Sequence, residues 1–159
     1  MQFDALTGPS ATAVLAGFAL ELRASDAAYE EDQPIQLAAR LQFRGPGDAT
    51  TIYGLGAGLI TFDIEQLDGT IRLPAEWPSE CGEYRVERGR PYDGPFAKSG
   101  SFDDDSLDAP FYKAFFNDPQ LRLPVGKWRV TARVDGSQVR CGGKGIGLEA
   151  TIIVKVQPA

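Results

Sequence analysis

The feature that most constrains this chain is apolar–polar alternation at period two, sustained for about ten residues in two separate places. In Ile35–Arg44, the odd positions Ile35, Leu37, Ala39, Leu41 and Phe43 make one apolar face, while Gln36, Arg40, Gln42 and Arg44 point the other way. Near the C-terminus, Leu148, Ala150, Ile152, Val154 and Val156 alternate with Glu149, Thr151, Ile153 and Lys155. This is the period of a strand with one buried and one wet face, and a helix cannot satisfy it. Shorter alternations recur at Phe18–Arg23, Ile60–Ile64, Thr70–Leu73, Tyr84–Val86 and Lys127–Val134. The dipeptides Asp68–Gly69 and Asp135–Gly136 end two of them as turns. The chain therefore reads as all-β: one domain over residues 1–159, built as a single antiparallel β-sandwich of about seven strands. Residues 1–14 are expected to be a poorly ordered or edge segment.

One stretch departs from this pattern. Residues 93–118 form an acidic insert with little alternation, yet they hold five of the nine phenylalanines. Within it, Leu107–Asn117 has the marks of a short helix: Asp108 as N-cap, Pro110 in the first turn and Asn117 as a stop before Asp118–Pro119. Leu107, Phe111 and Phe115 fall on one face, and the expectation is a lid whose aromatics reach the core. An aromatic recognition surface is the alternative.

Composition removes much chemistry. There is no histidine, so Ser-His-Asp and Cys-His machinery, imidazole zinc sites and histidine-bound haem are excluded. The net charge of −6 argues against a nucleic acid partner. The charge is also segregated. Residues 120–159 carry seven basic and only two acidic side chains, and nearly all the acids lie before them. Complementation between the two parts of one fold is the simpler account, and a basic stripe for an anionic partner the sharper one. No run of apolar residues is long enough to span a membrane. The apolar stretch Val14–Leu22 is broken by Gly17 and Glu21 without a basic segment before it, so no leader is expected in this chain.

Cys81 and Cys141 belong to no Cys-x-x-Cys pair. An even count in a β-rich chain, each cysteine beside glycine at a strand edge, favours a disulfide and an oxidising compartment; two unrelated thiols are the alternative. Asp103, Asp104 and Asp105 form the densest acid cluster. They read as a solvated loop or as charge favourable to a helix N-terminus. Calcium is the metal such oxygens would take, although the EF-hand rhythm is missing. The glycine runs Gly54–Gly58 and Gly142–Gly147 each lead into a strand, not a phosphate-binding helix. Arg85, Arg88 and Arg90 fit a solvated strand face or an anion site equally. The aromatics Trp77, Tyr84, Tyr92 and Phe96, gathered in residues 74–98, mark the expected binding edge. No spacing picks out a catalytic carboxylate pair, and the reading is that the chain is not an enzyme.

Two segments carry a family likeness. Tyr29–Glu30–Glu31–Asp32–Gln33–Pro34–Ile35 is similar to the acidic turn ending in a Gln-Pro-Ile step that opens the second strand of many bacterial immunoglobulin-like domains. Leu121–Arg122–Leu123–Pro124–Val125–Gly126–Lys127–Trp128–Arg129–Val130–Thr131–Ala132 resembles the Leu-x-Pro-x-Gly-x-aromatic step entering a late strand of such folds, with Trp128 in the corner position. The cysteines do not sit where the antibody inter-sheet bridge would fall. The likeness is to accessory domains of bacterial secreted or envelope proteins. It implies a non-catalytic binding module with a protein partner. More loosely the segments resemble bacterial proteinase-inhibitor sandwiches, and the alternative function is an inhibitor acting through an exposed loop.

Overall fold

Residues 3–55, 58–75 and 80–159 are described by the computed structural model of the chain. They begin with a single 3-10 turn, Phe3–Ala5. The first hairpin is β1 (Ser10–Leu15) with β2 (Phe18–Ala24), closed by Ala16 and Gly17, both in the left-handed region. After the short β3 (Ala28–Glu30), the Ile35–Arg44 alternation becomes β4 (Leu37–Phe43). It lies antiparallel to β2, with Phe18 opposite Phe43, Leu20 opposite Leu41 and Leu22 opposite Ala39. These pairs put one apolar row on the inner face, and all six residues are buried.

β5 (Ala49–Leu55), β6 (Thr61–Gln66), β7 (Arg72–Leu73), β8 (Cys81–Glu87) and β9 (Tyr92–Pro95) follow. Then come the helix α1 (Ala109–Asn117) and the two long strands β10 (Gly126–Val134) and β11 (Leu148–Gln157). The sheets have the orders β1-β2-β4-β9, β3-β11-β10-β6-β7 and β5-β8. β11 buries every second residue without exception, and β10 lies antiparallel to it from Gly126–Val156 to Val134–Leu148. Inner faces of all three sheets meet in one cluster: Phe18, Leu20, Leu22 and Leu41 from the first sheet, Trp128, Val130, Ile152 and Val154 from the second, and Ile52 and Val86 from the third. The Trp128 indole is fully buried, and its Nε1 donates to the Pro124 carbonyl at 2.9 Å, satisfying its polar handle.

The all-β expectation holds, but about seven strands become eleven in three sheets. The four additional strands are β1, β3, β5 and β9. β3 and β9 have three and four residues, too few for alternation to stand out. β1 alternates alanine with small or exposed residues and contributes only half-buried Ala11 and Ala13 to the core; it forms one end of its sheet. Nor is every pairing antiparallel. β3 runs parallel to the end of β11, Tyr29 beside Val156. The Thr70–Leu73 return does pair with β6, Leu73 opposite Ile64.

The helix falls within 107–117 with Pro110 in its first turn. Asp108 does not cap it. Its carboxylate instead accepts from the Thr70 hydroxyl at 2.8 Å, tying the helix to the β6–β7 turn. Leu107 is 99% exposed, so it does not share the Phe111–Phe115 face in the core. Phe115 is buried, while Phe111, Tyr112 and Phe116 cover the cluster partly. At the other end Lys98 reaches the Phe115 and Asp118 carbonyls and lies 4.1 Å above the Phe115 ring. Burial pulls the Lys98 ammonium below its ordinary pKa.

The 3-10 turn covers the outer face of the first sheet. Phe3 is buried between the guanidiniums of Arg23 and Arg40, 4.3 and 4.5 Å from its centroid, and packs with Leu6 on Ala38. Asp4 and Asp93 hold Arg40 at 3.3 and 2.7 Å, and the Asp93 hydrogen bond raises its already high pKa.

Candidate functional site

Charge gathers in several depressions among the described residues, and pairing separates two of them. The first, about 600 Å³, lies on the outer face of the five-stranded sheet. Antiparallel register places basic β10 against acidic β6, Arg129 opposite Glu65 and Arg133 opposite Thr61. Arg133 contacts Asp63 and Glu149, both at 3.2 Å; Arg129 and Arg72 each lie 3.7 Å from Glu65. The Arg133 Nε contact with Glu149 is an ion pair without hydrogen-bond alignment. Here Arg129 and Arg133 of the basic C-terminal part meet Glu65 and Asp63 of the acidic front part, so part of the charge segregation is complemented across the sheet.

The second depression is different. It is a cleft of about 250 Å³ where the end of β4 meets the turn between β8 and β9. The β8 extension brings Arg88 beside Phe43 as an isolated parallel bridge. Glu87, Arg88, Gly89 and Arg90 make a tight turn: the Arg90 N–H donates to the Glu87 carbonyl at 3.2 Å, with Gly89 at φ +80°. That φ is the position a type II turn reserves for glycine. Arg44, one residue past β4, completes the rim, and buried Phe43 lines the cleft with Pro91.

Three arginines therefore line one small space. None of Arg44, Arg88 and Arg90 has a carboxylate oxygen within 4.0 Å among the described residues. The one acid lining the cleft, Glu87, is 3.3 Å from Arg85 on its own strand. Neutral groups hold the arginines in place. Arg44 donates to the Gln42 amide oxygen at 3.0 Å, and Arg88 donates to the Gly45 carbonyl. The Arg88 backbone N–H is fixed by the Asp48 carbonyl at 2.7 Å. A guanidinium has five N–H donors, so these bonds orient the Arg44 and Arg88 forks and leave donors for an anion.

The residues singled out from sequence fall as follows. Tyr84 and Tyr92 meet edge to face, centroids 6.0 Å apart, on β8 and β9 just beyond the arginine turn. Both are half-buried, and burial raises the Tyr92 hydroxyl pKa against a lowering hydrogen bond from the Leu59 backbone. Phe96 packs on Phe62 at 5.4 Å, away from the cleft. Trp77 lies outside the described residues. Tyr84, Tyr92 and Phe96 are thus half-buried, each packed on a ring, while Tyr92 and Phe96 also line surface depressions. Asp103, Asp104 and Asp105 are exposed; the Asp103 carboxylate accepts from the Asp105 N–H at 2.9 Å. No group of three or more acids, cysteines or histidines arranged for a metal occurs among the described residues.

Cys81 opens β8 and Cys141 lies in the loop before β11, paired at disulfide distance with Cα atoms 5.9 Å apart. The same loop is held to β5 by paired backbone bonds between Tyr53 and Ser137. No helix of the described residues is long and apolar enough to cross a membrane.

Arg44 is the member that sequence reasoning missed, being read only as the last outward residue of a strand. Nothing local marks it, because it meets Arg88 through the non-local Phe43–Arg88 bridge. No family model, curated protein or solved structure matches the chain, so the arginine cleft rests on its own geometry.

Proposed function

We propose that the chain is a non-catalytic binding module of the immunoglobulin-like β-sandwich kind. It belongs to a bacterial exported or envelope protein and engages a protein partner. The observation that carries this reading is the cleft of Arg44, Arg88 and Arg90, three cations without a carboxylate partner among the described residues, in a protein of net charge −6. Charges at a strand end and turn without a carboxylate partner among the described residues serve a partner's orientation and association rate. Sheets enclosing one core support the sandwich reading, and a cysteine pair at disulfide distance supports an oxidising compartment.

The test is position-specific photo-crosslinking of the oxidised protein in an extracytoplasmic extract of its source. A crosslinker at Arg90 should give one dominant, salt-sensitive adduct, and one at Ile153, exposed on β11, should give none. Equal yields from both positions, or none from either, reject the reading.

One observation favours the inhibitor alternative. Val139 is 79% exposed and Arg140 is exposed beside Cys141, while the Ser137 hydroxyl accepts from the Val139 and Arg140 N–H groups at 3.1 and 3.5 Å. A tethered, preorganised loop with a basic residue suits a trypsin-like protease. Slowing of such an enzyme at micromolar concentration supports it; cleavage after Arg140 without slowing removes it.

A further inference from the structure

From this geometry we infer that the arginine cleft takes an acidic peptide segment with two adjacent carboxylates, supplied by a partner protein. The inference deepens the binding-module reading and rests on it. Three observations select the ligand class.

The first is charge. Arg44, Arg88 and Arg90 line the cleft with Glu87 as the only lining acid, an excess of two positive charges that a dianionic group balances. Glu87 is already paired with Arg85, so it competes little for the three forks.

The second is size. About 250 Å³ is below the range of pockets built for drug-sized ligands or cofactors, roughly 300–1,000 Å³. It accommodates a pair of side chains. A long polyanion would have to run on over a protein of net charge −6, where it meets repulsion.

The third is the lining itself. Buried Phe43 and half-buried Pro91 offer apolar contact beside the guanidiniums. A peptide brings methylenes to meet them, whereas inorganic phosphate brings only oxygen. The planar forks match carboxylates two oxygens at a time. The turn that carries two of the three arginines is fixed by its own backbone bonds, so little ordering has to accompany binding.

The experiment is fluorescence anisotropy with three probes on the whole oxidised protein: a labelled Gly/Ser peptide containing Glu-Glu, its Gln-Gln counterpart, and inorganic phosphate as competitor. The Glu-Glu peptide should bind with an affinity that falls as salt rises, and the Gln-Gln peptide should not bind measurably. R88Q/R90Q should weaken Glu-Glu binding by about tenfold or more, the loss of two exposed charge-assisted contacts. K144Q, at an exposed lysine outside the cleft, should leave it unchanged. Circular dichroism of R88Q/R90Q checks that the fold is kept, and R44Q gives an independent variant on another element.

Equal binding of both peptides overturns the proposal. So does unchanged affinity in R88Q/R90Q and R44Q, or displacement by phosphate at concentrations below the peptide's own dissociation constant. Concentration-dependent self-association lost in D103N/D104N/D105N assigns the cleft to a second copy of the chain and likewise overturns a separate partner. A natural partner crosslinked at residue 90 yet retained by R88Q/R90Q leaves the binding-module reading standing and refutes the carboxylate site alone.

Discussion

Replacing Cys81 and Cys141 together by serine should destabilise the protein substantially while leaving its native structure nearly intact. The pair spans 60 residues of chain, from the start of β8 through α1 and β10 to the loop before β11. For a loop this long the chain-entropy relation gives about 4 kcal/mol, gained by restricting the unfolded state. The native loop has other anchors. Tyr53 and Ser137 exchange backbone bonds at 2.7 and 2.8 Å, and the Gln138 amide donates to the Thr50 hydroxyl at 3.1 Å. The folded form should therefore keep its far-UV and near-UV dichroism. In urea, with a slope of about 2 kcal/mol/M for a domain of this size, the midpoint should fall by roughly 2 M. The thermal midpoint should drop by roughly 8–16 °C. Reducing the wild type should reproduce both shifts. A urea midpoint moved by less than about 0.5 M refutes the reasoning, because the bridge would then constrain no state that unfolding reaches. Loss of amide protection confined to β5 and β8 at unchanged global stability would refute it too.

Three further outcomes follow from side-chain environments. Leu41 is fully buried at the centre of β4, so Leu41→Ala should cost about 2–5 kcal/mol by urea titration. Gly89 sits at φ +80° with open space around an added Cβ, so Gly89→Ala pays only for backbone strain, about 1–2 kcal/mol in thermal melts. Arg122 donates to both Asp118 carboxylate oxygens at 2.9 and 2.8 Å, holding that carboxyl below its ordinary pKa. A depressed native pKa contributes stability that is present above the unfolded value and lost as pH falls through the native one. The deficit of Arg122→Gln should therefore be largest near neutrality and shrink between about pH 5 and about pH 2. A deficit constant with pH removes the ion pair as its cause.

The long strands were legible because burial on one face imposes the period directly on the residues. Leu148–Val156 and Ile35–Phe43 have no other way to bury their apolar set. The helix was legible from Pro110 and the Asn117–Asp118–Pro119 stop, but Asp108 misled as a cap because its carboxylate goes to Thr70, thirty-eight residues away. The ring partners of the expected aromatic edge were not legible: Tyr84, Tyr92 and Phe96 lie in a glycine- and proline-rich stretch, and each is half-buried against a ring or the core across the fold. The cysteine pairing could be read from count and context. The cleft could be read only in part. Arg88 and Arg90 stood out as a cluster, while Arg44 joins them through a bridge between strands that no local pattern encodes.

The position of β11 has a consequence for when the molecule can form. β11 lies between β10 and β3, so it is bracketed by one strand close before it in the chain and one far before it. Lys155 pairs with Ala28 and Gln157 with Glu30, joining the chain across most of its length. The five-stranded sheet cannot be completed until β11 is available to pair with both β10 and β3. Such non-local closure is slow, because the entropy of a very long loop must be met before any contact rewards it. The β3 edge therefore stays unpaired until that long loop closes, and the Gln157–Glu30 pairing marks its closure.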